Sequence, residues 1–139
     1  MQTAQSPIHR LFDHAFNEGE LAVVDELVTA DAITHATSWG LPNNRTGLKQ
    51  LILAFRTAFP DLHCIVQEEI AQGDRTAVHW TMRGTHQGAF MGNRPTGRPI
   101  RVQGIIIVRV VDGRIVENWI LIDQMSILQQ LGIIPPPGH

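Results

Sequence analysis

Apolar residues recur every three or four positions through the first half of the chain and at alternate positions through the second. Ile8, Leu11, Phe12, Ala15 and Phe16 mark one face of a helix. Ser6 and Pro7 suit its entry, as capping hydroxyl and first helical residue, and Gly19 suits its end. Leu21, Val24, Leu27 and Val28 predict a shorter helix from about Glu20. Ala32 to Ala36 predicts a short strand, after which Trp39 leads into a loop rich in glycine, proline and asparagine. Leu48, Leu51, Ile52, Phe55 and Phe59 form the stripe of a third helix from about Gly47, which Pro60 stops.

Beyond Pro60 the period is two. Leu62, Cys64, Val66 and Ile70 alternate with His63, Gln67 and Glu69. After a turn at Gln72 to Arg75, the strand Thr76 to Gly84 puts Val78, Trp80 and Met82 on one face and His79, Thr81 and Arg83 on the other. Gly84 to Pro99 is a long loop of the kind that often closes over a site. Ile100 to Val111 is a strand, Asp112-Gly113 a hairpin turn, and Arg114 to Ile122 the returning strand. A last helix starts at Asp123 or Ser126 and closes at Gly132, before a proline-rich tail that cannot be helical. Helices first, then four strands in hairpin succession, predict an α+β domain: a cone-shaped barrel whose curved antiparallel sheet wraps over the N-terminal helices. The domain is expected to span 1–139, with flexible ends at 1–5 and 133–139. Such a cone leaves an apolar cavity suited to a hydrophobic small molecule.

Bulk properties narrow the function. A formal charge of −2 gives no field to draw nucleic acid. The start of the chain lacks the basic and apolar runs of a signal peptide, and the longest apolar run, Ile105 to Val108, is too short to cross a membrane. Cys64 is the only cysteine, which excludes an intrachain disulfide and a cysteine zinc cluster and fits a cytoplasmic protein. Lys49, the only lysine, sits in a helical pattern without the special environment a Schiff base needs. Apolar residues expected on the outer face of the sheet, such as Ile106 and Val108, predict a homodimer.

The segment Glu117 to Gly132 holds the candidate chemistry. Alternation puts Trp119, Leu121 and Asp123 on one strand face, with the carboxylate at the strand end. On an apolar, aromatic face such a carboxylate is costly when ionised, and the usual response is a raised pKa suited to a general base. The competing reading is that Asp123 only caps the helix after it. The enzymatic reading requires a void in front of the carboxylate and shielding from bulk water. Among the histidines, His35 could bond a substrate or Asp123, or serve structure alone, while His86 is better placed to pin its loop. His79 is expected to point outward. The histidine spacings show no metal motif.

Seven short motifs follow one another along nearly the whole chain: F-N-E-G at Phe16–Gly19, F-P-D-L at Phe59–Leu62, G-D-R-T at Gly73–Thr76, G-T-H-Q-G at Gly84–Gly88, P-T-G-R at Pro95–Arg98, D-G-R-I-V-E-N-W at Asp112–Trp119 and D-Q-M-S-I-L-Q-Q-L-G at Asp123–Gly132. In this order they resemble SnoaL-like polyketide cyclases of the nuclear transport factor 2 superfamily. The resemblance implies an intramolecular aldol closure of a polyketide ester, without cofactor or metal, and carries the family's acid/base onto Asp123. His35 stands where relatives often carry a cavity histidine. Trp39, Phe59, Trp80, His86, Phe90, Met91 and Trp119 are the expected substrate contacts. Related ketosteroid isomerase and scytalone dehydratase sites use tyrosines, and this chain has none. An epoxide hydrolase-like relay around Asp123, with Arg83 or Arg109 as the cation, is the minor alternative. A non-catalytic ligand-binding or dimerisation module is the other.

Overall fold

The computed structural model describes residues 6–36 and 39–135. Helix α1 (Pro7–Arg10) has Ser6 as its cap and Pro7 in its first turn, and it widens into a π-helical segment, Leu11–Phe16. Helix α2 (Ala22–Leu27) runs directly into strand β1 (Val28–His35). Helix α3 (Arg45–Ala58) is capped by Asn44, whose Oδ1 accepts the Gly47 N–H at 3.0 Å. Strands β2 (His63–Gln72), β3 (Arg75–Thr85), β4 (Pro99–Val111) and β5 (Arg114–Ile122) follow, and helix α4 (Gln124–Gln130) closes the series. Just past α4, the Ile133 N–H bonds back to Leu128 O at 2.9 Å. The expected flexible ends otherwise fall on 1–5 and 136–139, outside the described residues. Among the described residues no helix is long and apolar enough to cross a membrane.

The α+β architecture is the expected one, with a correction to the sheet. It has five strands in the order β1-β5-β4-β3-β2, and β1 runs parallel to β5 at one edge. The strand expected at 32–36 begins at Val28 instead. Val28 keeps the helical spacing of Val24 and Leu27, but its backbone is already extended, with φ −118° and ψ 130°. Register shifts between Val66 and Glu68 and between Arg109 and Val110 interrupt the antiparallel ladders, and such bulges bend a sheet.

One row of the sheet sets which side chains face the helices. Trp80 on β3 pairs with Gly104 on β4, and Gly104 pairs with Ile122 on β5. The Trp80 indole turns inward and packs on Phe12 and Phe16, with ring centroids 5.1 Å and 5.7 Å away. It also lies over Gly104, where an added Cβ would come within 2.7 Å of the indole and 3.0 Å of the Leu121 carbonyl oxygen. Period two then carries the assignment along each strand. Val102, Ile106, Val108, Ile120 and Ile122 are buried against the helices. This corrects the homodimer argument: Ile106 and Val108 face the core, and the outward residues are Ile105 and Ile107, with Ile70 and Leu121 beside them.

Past Ile122, β4 loses its neighbour and a side chain takes over the pairing. Gln130 of α4 accepts the Arg101 N–H through Oε1 at 2.8 Å and donates to the Arg101 carbonyl through Nε2 at 2.9 Å. The amide thus replaces one residue of a strand, and α4 is fixed along the sheet end where Asp123 sits.

Filling the space above Gly104 should disturb this row. Gly104→Ala should cost about 1–3 kcal/mol, the usual range for overpacking, in urea denaturation of the two proteins. Unchanged stability would show that the indole does not hold the position described.

Candidate active site

Asp123 lies at the end of β5, where its backbone leaves the sheet. Its N–H donates to the Gln103 carbonyl at 3.2 Å, and its Oδ1 accepts the Ser126 N–H at 3.1 Å, capping α4. Since Ile122 faces the core, Asp123 faces out. Trp119 and Leu121 do share its face, as alternation predicts, but that face is the convex one. Asp123 is exposed and Leu121 is 69% exposed. The desolvation expected of Asp123 is therefore absent from the isolated chain.

A void does stand in front of it. An open groove of about 510 Å³ runs over the sheet from Asp123 to Glu68. Its floor is Gly104, Ile105, Leu121 and Ile122, and His79 and Gln103 stand along it. His79 points outward, as alternation predicts. Its Nε2 lies 2.6 Å from Gln103 Oε1. An amide oxygen only accepts, so His79 Nε2 is the donor in this contact. The Gln103 amide N–H groups have no partner among the described residues. Gln103 belongs to none of the sequence motifs. Its place on the Asp123 side of β4 follows from alternation only once Trp80 is taken as inward.

His35 belongs to a different cluster. Its Nε2 is 2.8 Å from Glu117 Oε2, and Arg109 Nε donates to Glu117 Oε1 at 3.3 Å. The imidazole stacks on Trp119, 5.1 Å between centroids and 10° from parallel, and the Arg75 guanidinium lies 5.0 Å from the centre of the indole. The hydrogen bond from His35 holds the Glu117 carboxyl below the usual glutamate range, with Arg109 adding to it against partial burial. His35 thus bonds Glu117 rather than Asp123. Trp119 is four residues from Asp123, about 13 Å along a strand, and does not cover its carboxylate. Arg109 is engaged by Glu117, and Arg83 lies in another crevice with Asp61, so among the described residues neither arginine joins Asp123 in a relay.

The other expected contacts divide. Trp39, Phe59, His86 and Phe90 come together with Phe55, as ring pairs 5.3–6.5 Å apart. Trp80 lies apart from them, in the core cluster with Phe12 and Phe16. His86 is buried and pins the long loop: its Nδ1 accepts the Thr96 N–H at 3.1 Å, and its backbone N–H donates to the Arg98 carbonyl at 2.9 Å. Trp39, Phe55, Phe90 and Met91 also line a second apolar groove of about 450 Å³ beside α3. Met91 Sδ accepts from Gln124 Nε2 at 3.2 Å, which ties this loop to the residue after Asp123. Phe12, Phe55, Phe59 and Trp80 are fully buried in the core, and both grooves are open at the surface.

The remaining candidates are engaged or dispersed. Lys49 Nζ contacts both Asp25 carboxylate oxygens, at 2.7 and 2.8 Å. This hydrogen bond is the chief cause holding the Asp25 carboxyl below its usual range. Among the described residues the one cluster with metal-ligand spacing is His14, Glu18 and Glu20, largely exposed and remote in sequence from the other candidates.

The model of the SnoaL-like polyketide cyclase family matches residues 7–131. Nogalonic acid methyl ester cyclase of Streptomyces nogalater is 28% identical over 120 residues, which cover 85% of this chain and 90% of that protein. Among solved structures, the proposed polyketide cyclase IdmH of Streptomyces antibioticus is 37% identical with a TM-score of 0.78, covering 91% of this chain and 96% of its own. AclR of Streptomyces galilaeus, a proposed hydroxylase, is 29% identical with a TM-score of 0.82, covering 93% and 95%.

The Glu117 shift has a pH signature. Because its carboxyl ionises more readily folded than unfolded, its stabilising share is complete above the ordinary value of 4.5. That share is lost as pH falls through the lower folded value. Glu117→Gln should therefore be less stable than the parent at about pH 6, with the deficit shrinking towards about pH 3. A deficit independent of pH, measured by urea denaturation, would contradict the assignment.

Proposed function

The chain belongs to the SnoaL-like polyketide cyclase family, and on that footing we propose that it closes a carbon ring in a polyketide ester, with Asp123 as proton acceptor and donor and no cofactor. The observation that carries this reading is the Asp123 carboxylate standing at one end of an apolar-floored groove, with one oxygen held by the Ser126 amide.

Asp123 takes a proton from a carbon between two carbonyl groups. The resulting carbanion attacks a second carbonyl carbon of the same molecule, forming the carbon–carbon bond. The proton then passes from Asp123 to the new alkoxide, so substrate and product are isomers. The substrate's own conjugated carbonyls spread the enolate charge, which lessens the need for a dedicated oxyanion hole. A flat, apolar substrate laid on Ile105 and Leu121 displaces water from Asp123. In this reading the substrate supplies the shielding that Trp119 does not. Gln103 can donate an amide N–H to an enolate oxygen, and the Ser126 contact fixes the carboxylate against rotation. The loop carrying Phe90 and Met91 is tied to Gln124, the residue after Asp123.

Asp123→Asn separates the two roles of this residue, because asparagine caps a helix about as well as aspartate but cannot take the proton. With nogalonic acid methyl ester, the compound in the relative's name, and similar polyketide esters as substrates, kcat should fall by about a hundredfold or more. The melting temperature should stay close to that of the parent. Full turnover by Asp123→Asn would refute Asp123 as the base.

A further inference from the structure

Away from the Asp123 groove, three basic side chains stand in a row. His63, Arg83 and Arg101 lie directly opposite one another on β2, β3 and β4, and all three are exposed. Arg83 and Arg101, so paired, have Cβ atoms about 4.5–5.5 Å apart, where like charges destabilise a sheet. None of the three makes a close ion pair among the described residues. On the far side of Arg101 the row ends at Gln130, a neutral amide.

The row lines an open crevice of about 700 Å³, together with Arg56, Asp61 and Thr85. Arg56 Nη1 donates to the carbonyls of Asn17, Leu62 and Phe16 at 3.0, 3.3 and 3.5 Å, and its charge meets no carboxylate among the described residues. Asp61, the carboxylate in the crevice lining, accepts the Thr85 N–H at 2.7 Å and the Thr85 hydroxyl at 2.8 Å. These bonds do most to hold its carboxyl below the usual range, and the Arg83 charge contributes least. Three guanidinium groups thus share the crevice with one carboxylate that is already bonded elsewhere, and its balance is positive.

We propose that this crevice binds a small molecule carrying two linked phosphate groups. Strands are about 4.8 Å apart, so the row extends roughly 10 Å. That span exceeds one carboxylate and suits two joined phosphoryl groups. Guanidinium forks take phosphate oxygens in pairs, and the bound anion removes the repulsion within the row. The site uses none of the groups assigned to ring closure and stands apart from that reading.

Pyrophosphate, titrated by calorimetry into the full chain at low ionic strength, tests this site, with inorganic phosphate and succinate as comparisons. Pyrophosphate should bind more tightly than either. Arg83→Gln combined with Arg101→Gln should weaken it at least about tenfold. The same exposed substitutions should raise the melting temperature of the ligand-free chain, by relieving the repulsion. Arg94→Gln, on the exposed loop, should change neither quantity. The proposal is overturned by absence of pyrophosphate binding, by succinate binding as tightly, by equal binding in the double variant, or by an equal loss in Arg94→Gln.

Discussion

The contact of the Trp80 indole with Gly104 orients the whole sheet. A strand has two faces and no intrinsic preference between them, so one large side chain committed to the core fixes the rest by alternation. Trp80 makes that commitment, because it fills the space under the helices against Phe12 and Phe16 and needs a residue without a side chain opposite it on β4. From this row, Ile122 must face in and Asp123 out. The chemistry proposed for Asp123 is therefore placed on the convex side of the sheet.

That side carries three polar arrangements of different character. At one end His35, Glu117 and Arg109 form a hydrogen-bonded network under the stacked Trp119. In the middle, the Asp123 groove pairs a carboxylate with His79 and Gln103 over an apolar floor. At the other end, His63, Arg83 and Arg101 face one another without an acid among them. The first is internally satisfied, whereas the second and third leave donors or charges without close partners among the described residues. Such open valences are where a ligand gains most, since it need not displace an existing bond.

Much of the fold can be read from the sequence, because its signals are local. Ser6-Pro7, the stripe of α3, the Asp112-Gly113 turn and the period-two strands each specify their element through nearby residues. Capping by Asp123 is visible for the same reason. What alternation does not supply is which of two faces is the inner one. Ile105, Ile106, Ile107 and Val108 are apolar on both sides of β4, so the pattern there is silent, and the pair expected outside is the pair found inside. The pairing of His35 with Glu117 is equally hidden, because it depends on β1 lying parallel to β5, a contact between residues 82 apart in sequence.

The orientation of β5 can be measured by thiol labelling of Ile120→Cys and Leu121→Cys. The native thiol gives little background: Cys64 is buried, and burial pushes its pKa up to about 12. On this account the thiol at position 121 reacts with iodoacetamide at close to the rate of a free cysteine and is protected by a polyketide ester bound in the groove, while the thiol at 120 stays unreactive until the protein unfolds. Rapid labelling at 120 with protection at 121 would place Asp123 inside the cone and contradict the account.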